Sequence, residues 1–445
     1  MRSTSPTTPP TPRLLASPLR LLLLFLLWSL LLTYPLPLHL FSHIPRGSEE
    51  AATVPLFNLW TLRWNIDQLL QGYPHYWDAP IFAPDTGTFA FSEPQPLSAL
   101  LAAPLWLAFQ SPALGYNFVV ILCLTLNGWF ASGLLRSWGL PPLPAFLAGL
   151  LVQSLPFVAQ EMGVLQLVAL FGFLWSLFYL SRLLADLPGS SKLPGRWRSA
   201  LGLALGPPMM FFTCDYYGLF SLIFLPLAAL CHLRRTLHPQ NRCFTVLAAV
   251  LALTLTAPLL WAQQERLAQY HFTRSAATIE ANSAKLAYYG NFLDYNVLYA
   301  QLLGLKSGQG QRLFPGFGLL VLAILGLLDG GSKRVKLYCV GGVTGVAALA
   351  GAASGYGRLA APINGCEIMC PALPNCAAPF VLRRWRSFIW LYWPALACAI
   401  WAAGLGSLQK RWNHRGTETQ RKIKILRPLR LCASVVKLVA DHVRL

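Results

Sequence analysis

Charge is scarce in this chain. Asp, Glu, Lys and Arg make up 11% of its 445 residues, less than half the roughly 25% usual in soluble domains. A soluble globular protein needs more charge than that to cover its surface, so that class is excluded. Acids are the scarcer sign, with 16 Asp+Glu against 35 Lys+Arg. Also missing are a Walker A loop, a GxSxG elbow, an HExxH pair and a Rossmann glycine pattern. Those absences argue against nucleotide-sugar chemistry on a soluble domain. There is no internal repeat and no long linker.

What the chain has in quantity is apolar surface. Hydrophobic residues reach 55% and mean hydropathy is +0.50, which excludes a disordered chain. The formal net charge of +19 taken alone suggests a nucleic-acid partner. In so apolar a chain it reports topology instead, because loops on the cytoplasmic side of a membrane collect Lys and Arg. The expected partner is therefore membrane lipid, not nucleic acid.

A bilayer-crossing helix needs about 20 apolar residues. Such runs fall at about 14–36, 114–135, 141–158, 164–184, 199–213, 217–233, 243–262, 313–328, 337–355 and 388–408. They predict an all-α polytopic membrane bundle of about ten spans. The first run looks like a signal peptide, but it exceeds the roughly 7–15 residues of a signal core and no A-x-A site follows. It is read as a retained span. Basic loops at Lys192/Arg196/Arg198, Arg234/Arg235/Arg242 and Lys333/Arg334/Lys336, with the tail from Lys410, then share one side with the N-terminus. This predicts a cytoplasmic segment 1–13, a membrane domain 14–408 and a basic cytoplasmic tail 409–445. The topology requires that Pro96–Phe109, which contains Pro104, lies at the interface and does not cross.

Three long loops face outward, at about 37–113, 263–312 and 356–387. The first holds Glu49, Glu50, Asp67, Asp78, Asp85 and Glu93, a large share of the acids. Its Leu56, Leu59, Trp60, Leu62, Trp64, Ile66, Leu69 and Leu70 predict an amphipathic interfacial helix.

The order of features here resembles the GT-C superfamily of polytopic glycosyltransferases, within a group of bacterial members with about ten or more spans. The matching residues are Gly47-Ser48-Glu49, Pro55-Leu56-Phe57-Asn58-Leu59-Trp60, Asp78-Ala79-Pro80-Ile81-Phe82-Ala83-Pro84 and Phe89-Ala90-Phe91-Ser92-Glu93. Later matches are Gly163-Val164-Leu165-Gln166, Arg274-Ser275, Asn282-Ser283-Ala284, Asp294-Tyr295 and Arg386-Ser387-Phe388. The resemblance covers roughly 30–405 and implies sugar transfer from a polyprenyl-phosphate sugar donor to an acceptor on the outer face of the bacterial inner (plasma) membrane. Some members of the superfamily also bind a divalent metal.

The chemistry fits such a loop. An acceptor hydroxyl loses its proton as it attacks the anomeric carbon, so a carboxylate is wanted nearby. The leaving phosphate wants a cation. The resemblance thus points to Glu49, Glu50 and Glu93 as catalytic carboxylates. It points to Asp78, Arg274, Asn282, Asp294, Tyr295 and Arg386 as substrate-binding residues.

Each has a plainer alternative. Glu49 is also a solvated loop acid, Glu93 a helix-cap acid, Asp85 a turn residue and Arg274 a snorkelling cation. Asp78 reads either way. Asp215 falls at an outer turn, where it joins the site or meets water. Many relatives carry Asp before the Pro of the first motif, where this chain has Val54. Cys366, Cys370 and Cys376 form the single cysteine cluster, a disulfide, a metal site or neither, with no nearby CxxC or His partner. From about Gln409 the chain resembles translated intergenic repeat sequence, which predicts a C-terminally truncated member. The rival functions are a transporter or lipid flippase and a non-catalytic paralogue.

Overall fold

The computed structural model describes residues 15, 17–47, 53–185, 193–270, 286–292, 297–308, 313–318 and 320–321. Among them every regular element is helical, without a strand. Four helices are long and apolar enough to cross a membrane: Pro112–Ser137, Pro142–Gly163, Leu165–Ala185 and Pro239–Gln269. The expected spans 337–355 and 388–408, most of 313–328, the cysteine cluster and the tail lie outside the described residues.

We label the main helices α1 (Pro18–Leu32), α2 (Thr53–Gln71), α3 (Pro96–Phe109), α4 (Pro112–Ser137), α5 (Pro142–Gln153), α6 (Phe171–Ala185), α7 (Leu193–Phe211), α8 (Asp215–Cys231) and α9 (Pro239–Gln269). Most begin with proline at the first turn, where its missing N–H costs nothing. In α4 the Ser111 hydroxyl also accepts from the Leu114 N–H at 3.2 Å, and Arg136 stands in the last turn against the negative end of the dipole.

α4 is the central post and packs against α1, α3, α5 and α6, whereas α7 gathers α6, α8 and α9. The joint between α1, α4 and α5 combines a ring and an amide. Phe25 is fully buried against the backbones of Gly128 and Gly149. Gln153 Nε2 lies within hydrogen-bonding reach of Phe25 O (3.1 Å), Ser29 Oγ (2.9 Å) and Leu124 O (3.0 Å). The opposite side of α1 leaves Leu19, Leu23, Leu27 and Leu31 exposed, a stripe at i, i+4 spacing suited to lipid.

α3 has 14 residues, about 21 Å of helix at 1.5 Å per residue, short of a roughly 30 Å hydrocarbon core. It meets α4 through small residues, burying Ser98, Ala99, Ala102 and Ala103. α2 has two distinct faces. Leu62 and Ile66 face the core, but Leu56, Leu69 and Leu70 are exposed. The buried row is Asn58, Thr61, Asn65 and Gln68. The reason lies in what α2 packs on. Part of its inner face meets the polar loop leading into α3, where Asn65 bonds to Pro94 O and Asn58 to Gln95.

A Cβ on Gly149 would sit 2.6 Å from Phe25 Cζ and 2.7 Å from the Gly128 carbonyl, and a helix backbone cannot yield cheaply. Gly149→Ala is expected to cost about 1–3 kcal/mol, as overpacking usually does, read as a lowered unfolding midpoint of the purified protein in detergent.

Candidate functional site

The segment between α2 and α3 forms a folded cap. Phe89, fully buried, is its hub. Trp60, Trp64, Tyr76 and Trp77 surround it with ring centroids 6.1, 6.4, 5.4 and 6.3 Å away, the range of favourable aromatic contact. Asp78 closes the turn: its Oδ1 accepts the Gly87 N–H at 2.8 Å, and Thr88 Oγ1 donates to Ile81 O at 2.8 Å. The structure thus gives Asp78 a loop-closing task.

The segment holds three non-glycine residues at positive φ: Tyr73 (63°), Phe82 (57°) and Gln95 (51°). Bulky residues rarely adopt this conformation, and such strain concentrates where a segment is held for function. The hold is visible at Asn65. Its Nδ2 donates to Pro94 O at 2.6 Å, and its Oδ1 accepts from the Tyr76 hydroxyl at 2.8 Å. Gln95 Nε2 donates to Asn58 Oδ1 at 2.8 Å.

This cap delivers Glu93 to the turn between α7 and α8. The Leu97 N–H donates to Phe212 O at 2.9 Å, which fixes the start of α3 on that turn. The Cys214 thiol reaches Glu93 Oε1 at 3.6 Å. Asp215 follows as the first residue of α8. Its Oδ1 is sealed without a hydrogen-bond partner, while Oδ2 accepts from Gln263 Nε2 at 3.3 Å. Gln263 comes from the far end of α9 and also reaches Ala90 O (3.1 Å) and Ser92 O (3.4 Å). One amide therefore ties α8, α9 and the cap together around two carboxyl groups.

Burial pushes the Asp215 carboxyl well above the usual carboxylate range, and the negative charge of Glu93 pushes it the same way, against a smaller opposing effect of the Gln263 hydrogen bond. Both burial and the Glu93 charge favour the protonated form of Asp215. Burial likewise raises the Tyr76 phenol, with smaller contributions from Tyr73 and Asp215, so it stays a neutral donor to Asn65.

A cation stands at the cap's edge. The Arg266 stem packs over Gly87, 3.4–3.8 Å from where a Cβ would be, and Gly87 itself has φ +70°. Asn58 Nδ2, Thr61 Oγ1, Gln68 Oε1 and Gln95 Oε1 are sealed without partners, so the seam between α2 and the cap has polar capacity to spare.

Of the expected site residues, Glu93 stands at the centre of this arrangement. Glu49, Glu50, Arg274, Asn282, Asp294, Tyr295 and Arg386 lie outside the described residues. Gly47, just before Glu49, packs on the backbone of Gln160–Gly163, so the cap's entry docks on the turn that carries Glu161. Val54, where the resemblance led us to expect Asp, packs against the apolar core. Asp215 was legible as a polar residue at a span edge. Gln263, Tyr76, Asn65 and Arg266 had no sequence signal, because each is an ordinary residue until the fold collects it. Among the described residues no group of three or more His, Cys, Asp or Glu gathers as a metal site would require.

In comparisons with known proteins, no family model, curated protein or solved structure matches the chain.

The raised Asp215 carboxyl makes stability depend on pH. A folded carboxyl that binds its proton more tightly than the unfolded one contributes fully below the unfolded value, about 3.9. The contribution is lost as pH rises through the folded value. Asp215→Asn keeps an acceptor for Gln263 and cannot ionise. The variant is expected to lose this fall and to be the more stable protein at neutral pH, with the difference vanishing near pH 4. Unfolding midpoints of both proteins across pH check this.

Proposed function

We propose that this chain is a GT-C-like integral-membrane glycosyltransferase that takes sugar from a polyprenyl-phosphate donor and passes it to an acceptor hydroxyl on the extracytoplasmic face. The proposal includes about ten spans, with both termini on the cytoplasmic side of a bacterial inner membrane. The observation that carries it is Glu93 held at the Cys214 thiol, next to the buried Asp215 whose carboxyl its charge raises, beneath the strained first-loop cap. Two carboxyls in unlike environments divide acid and base roles between them. Glu93, with Asp215 keeping its own proton, accepts the proton of the acceptor hydroxyl as its oxygen attacks the anomeric carbon. Glu49 is the second candidate base. The leaving phosphate gathers charge at an arginine, for which Arg266 stands at the cap's edge and Arg274 and Arg386 are the further candidates. The amide seam along α2 offers donors and acceptors of the kind that hydroxyl-rich ligands use.

A transporter or flippase would need polar groups lining a path at midspan. Here the amide nitrogens of two buried bundle residues serve helix joints. Gln153 serves α1 and α4, and Asn127 Nδ2 donates to Val168 O at 2.8 Å.

The test is sugar transfer from a polyprenyl-phosphate sugar by the purified protein. Glu93→Gln is expected to lower kcat by about 10²–10⁴-fold, the usual contribution of a general base, with KM little changed. Glu49→Gln, assayed beside it, separates the two candidate bases. Wild-type activity in both variants would refute the carboxylate assignment, and absence of transfer by wild type across a donor panel would refute the reaction class.

A further inference from the structure

The opposite end of the bundle carries a second arrangement that sugar transfer does not use. α9 has 31 residues, so it runs about 46 Å at 1.5 Å per residue, comparable to a bilayer with its headgroups. Its C-terminal end holds Gln263 at the carboxyl pair, and its N-terminal end meets the start of α7. There Arg196 is buried, with 4% of its surface exposed. Its guanidinium donates to two neutral amides, Gln240 Oε1 at 2.9 Å and Asn241 Oδ1, and lies over the Phe244 ring at 5.3 Å. Its Nε is sealed with no partner. Among the described residues the ion pairs are Arg63–Asp67 and His75–Asp78, both in the first loop. Arg196 therefore has no counter-ion there.

A buried charge without an opposite charge is costly. The surroundings deepen the deficit. α7 and α9 both point their N-termini, the positive dipole ends, at this site. Arg198 and Arg242 stand exposed within two residues of Arg196 and Gln240, and Arg235 reaches Leu184 O at 3.3 Å on the neighbouring turn. A bias of basic loops toward one membrane side accounts for the exposed arginines. It does not account for sealing one inside. Trp197, 51% exposed, packs edge-on against Phe244 at 5.2 Å. An exposed Trp beside the cluster is what the water–lipid boundary selects.

We propose that this end of α7 and α9 binds the phosphate of an anionic phospholipid headgroup. Arg196 is the buried anchor, Arg198 and Arg242 are the outer cations, and the Gln240 amide on the exposed first turn of α9 holds the guanidinium in place until the phosphate takes over. Arginine suits this role because its planar fork meets phosphate oxygens in pairs.

The test uses the full chain in nanodiscs of phosphatidylcholine with increasing phosphatidylglycerol, reading retained lipid by native mass spectrometry and the unfolding midpoint. Wild type is expected to retain phosphatidylglycerol in preference to phosphatidylcholine and to gain stability with its mole fraction. The Arg198→Ala/Arg242→Ala double variant is expected to lose roughly 10-fold or more of that preference, since a basic residue near an anionic surface contributes about fivefold. Arg196→Lys keeps the charge but loses the fork, and is expected to abolish the tightly retained lipid. The double variant changes exposed side chains alone, so it decides the question even if Arg196→Lys misfolds. Equal lipid retention by wild type and the double variant overturns the proposal. So does equal stabilisation by millimolar inorganic phosphate in pure phosphatidylcholine nanodiscs, which would assign the site to a free anion.

Discussion

Neutral amides cross-link this molecule where other proteins use ion pairs. A chain with so little charge, in an apolar setting, still has to satisfy every buried carbonyl and N–H. Asn and Gln side chains do this at several joints. Gln153 joins α1, α4 and α5, and Asn127 joins α4 to Val168. Asn117 holds the segment after α1 through Leu40 O and His43 O at 2.9 and 2.7 Å. Asn65 fastens the cap, and Gln263 closes α9 onto it. An amide makes these bonds without the desolvation cost of a charge, so the bundle is fastened while its few charges are kept at its ends.

Those ends differ in sign. One gathers Glu93 and Asp215 under the cap, and the other gathers arginines at the starts of α7 and α9. Joining them are the long apolar helices, which hold two charged sites apart and give them no common path. The cap is the costly part. Its positive-φ residues are strained, and the Phe89 cluster with the Asn65 and Gln95 bonds supplies the opposing stabilisation. A segment so fastened holds Glu93 at the turn before α8, the fixity that the proposed proton transfer requires.

The helices were legible because apolar length is a one-dimensional property. The runs at 114–135, 164–184 and 243–262 contain the cores of helices Pro112–Ser137, Leu165–Ala185 and Pro239–Gln269, and the Pro-bounded segment 96–109 is a helix of 14 residues. Glu93 was legible because it follows a motif. The facing of α2 was not. Its leucines and tryptophans predicted an interfacial helix, but that Asn58, Thr61, Asn65 and Gln68 turn inward depends on what that face packs against, which hydropathy does not record.

By itself, then, the sequence determined the class of molecule: an apolar helical bundle with an acid-bearing segment after its first helix, and basic residues clustered near helix ends. Those are consequences of composition and of spacing along the chain. The tertiary structure alone decided that Glu93 reaches Cys214 beside Asp215, residues far apart in sequence, and that Gln263 from a third element bonds to Asp215. It alone decided that one arginine of the basic clusters is sealed inside while its neighbours are exposed. Burial and proximity arise when helices pack, and they turn ordinary residues into groups whose protonation and charge have to be answered.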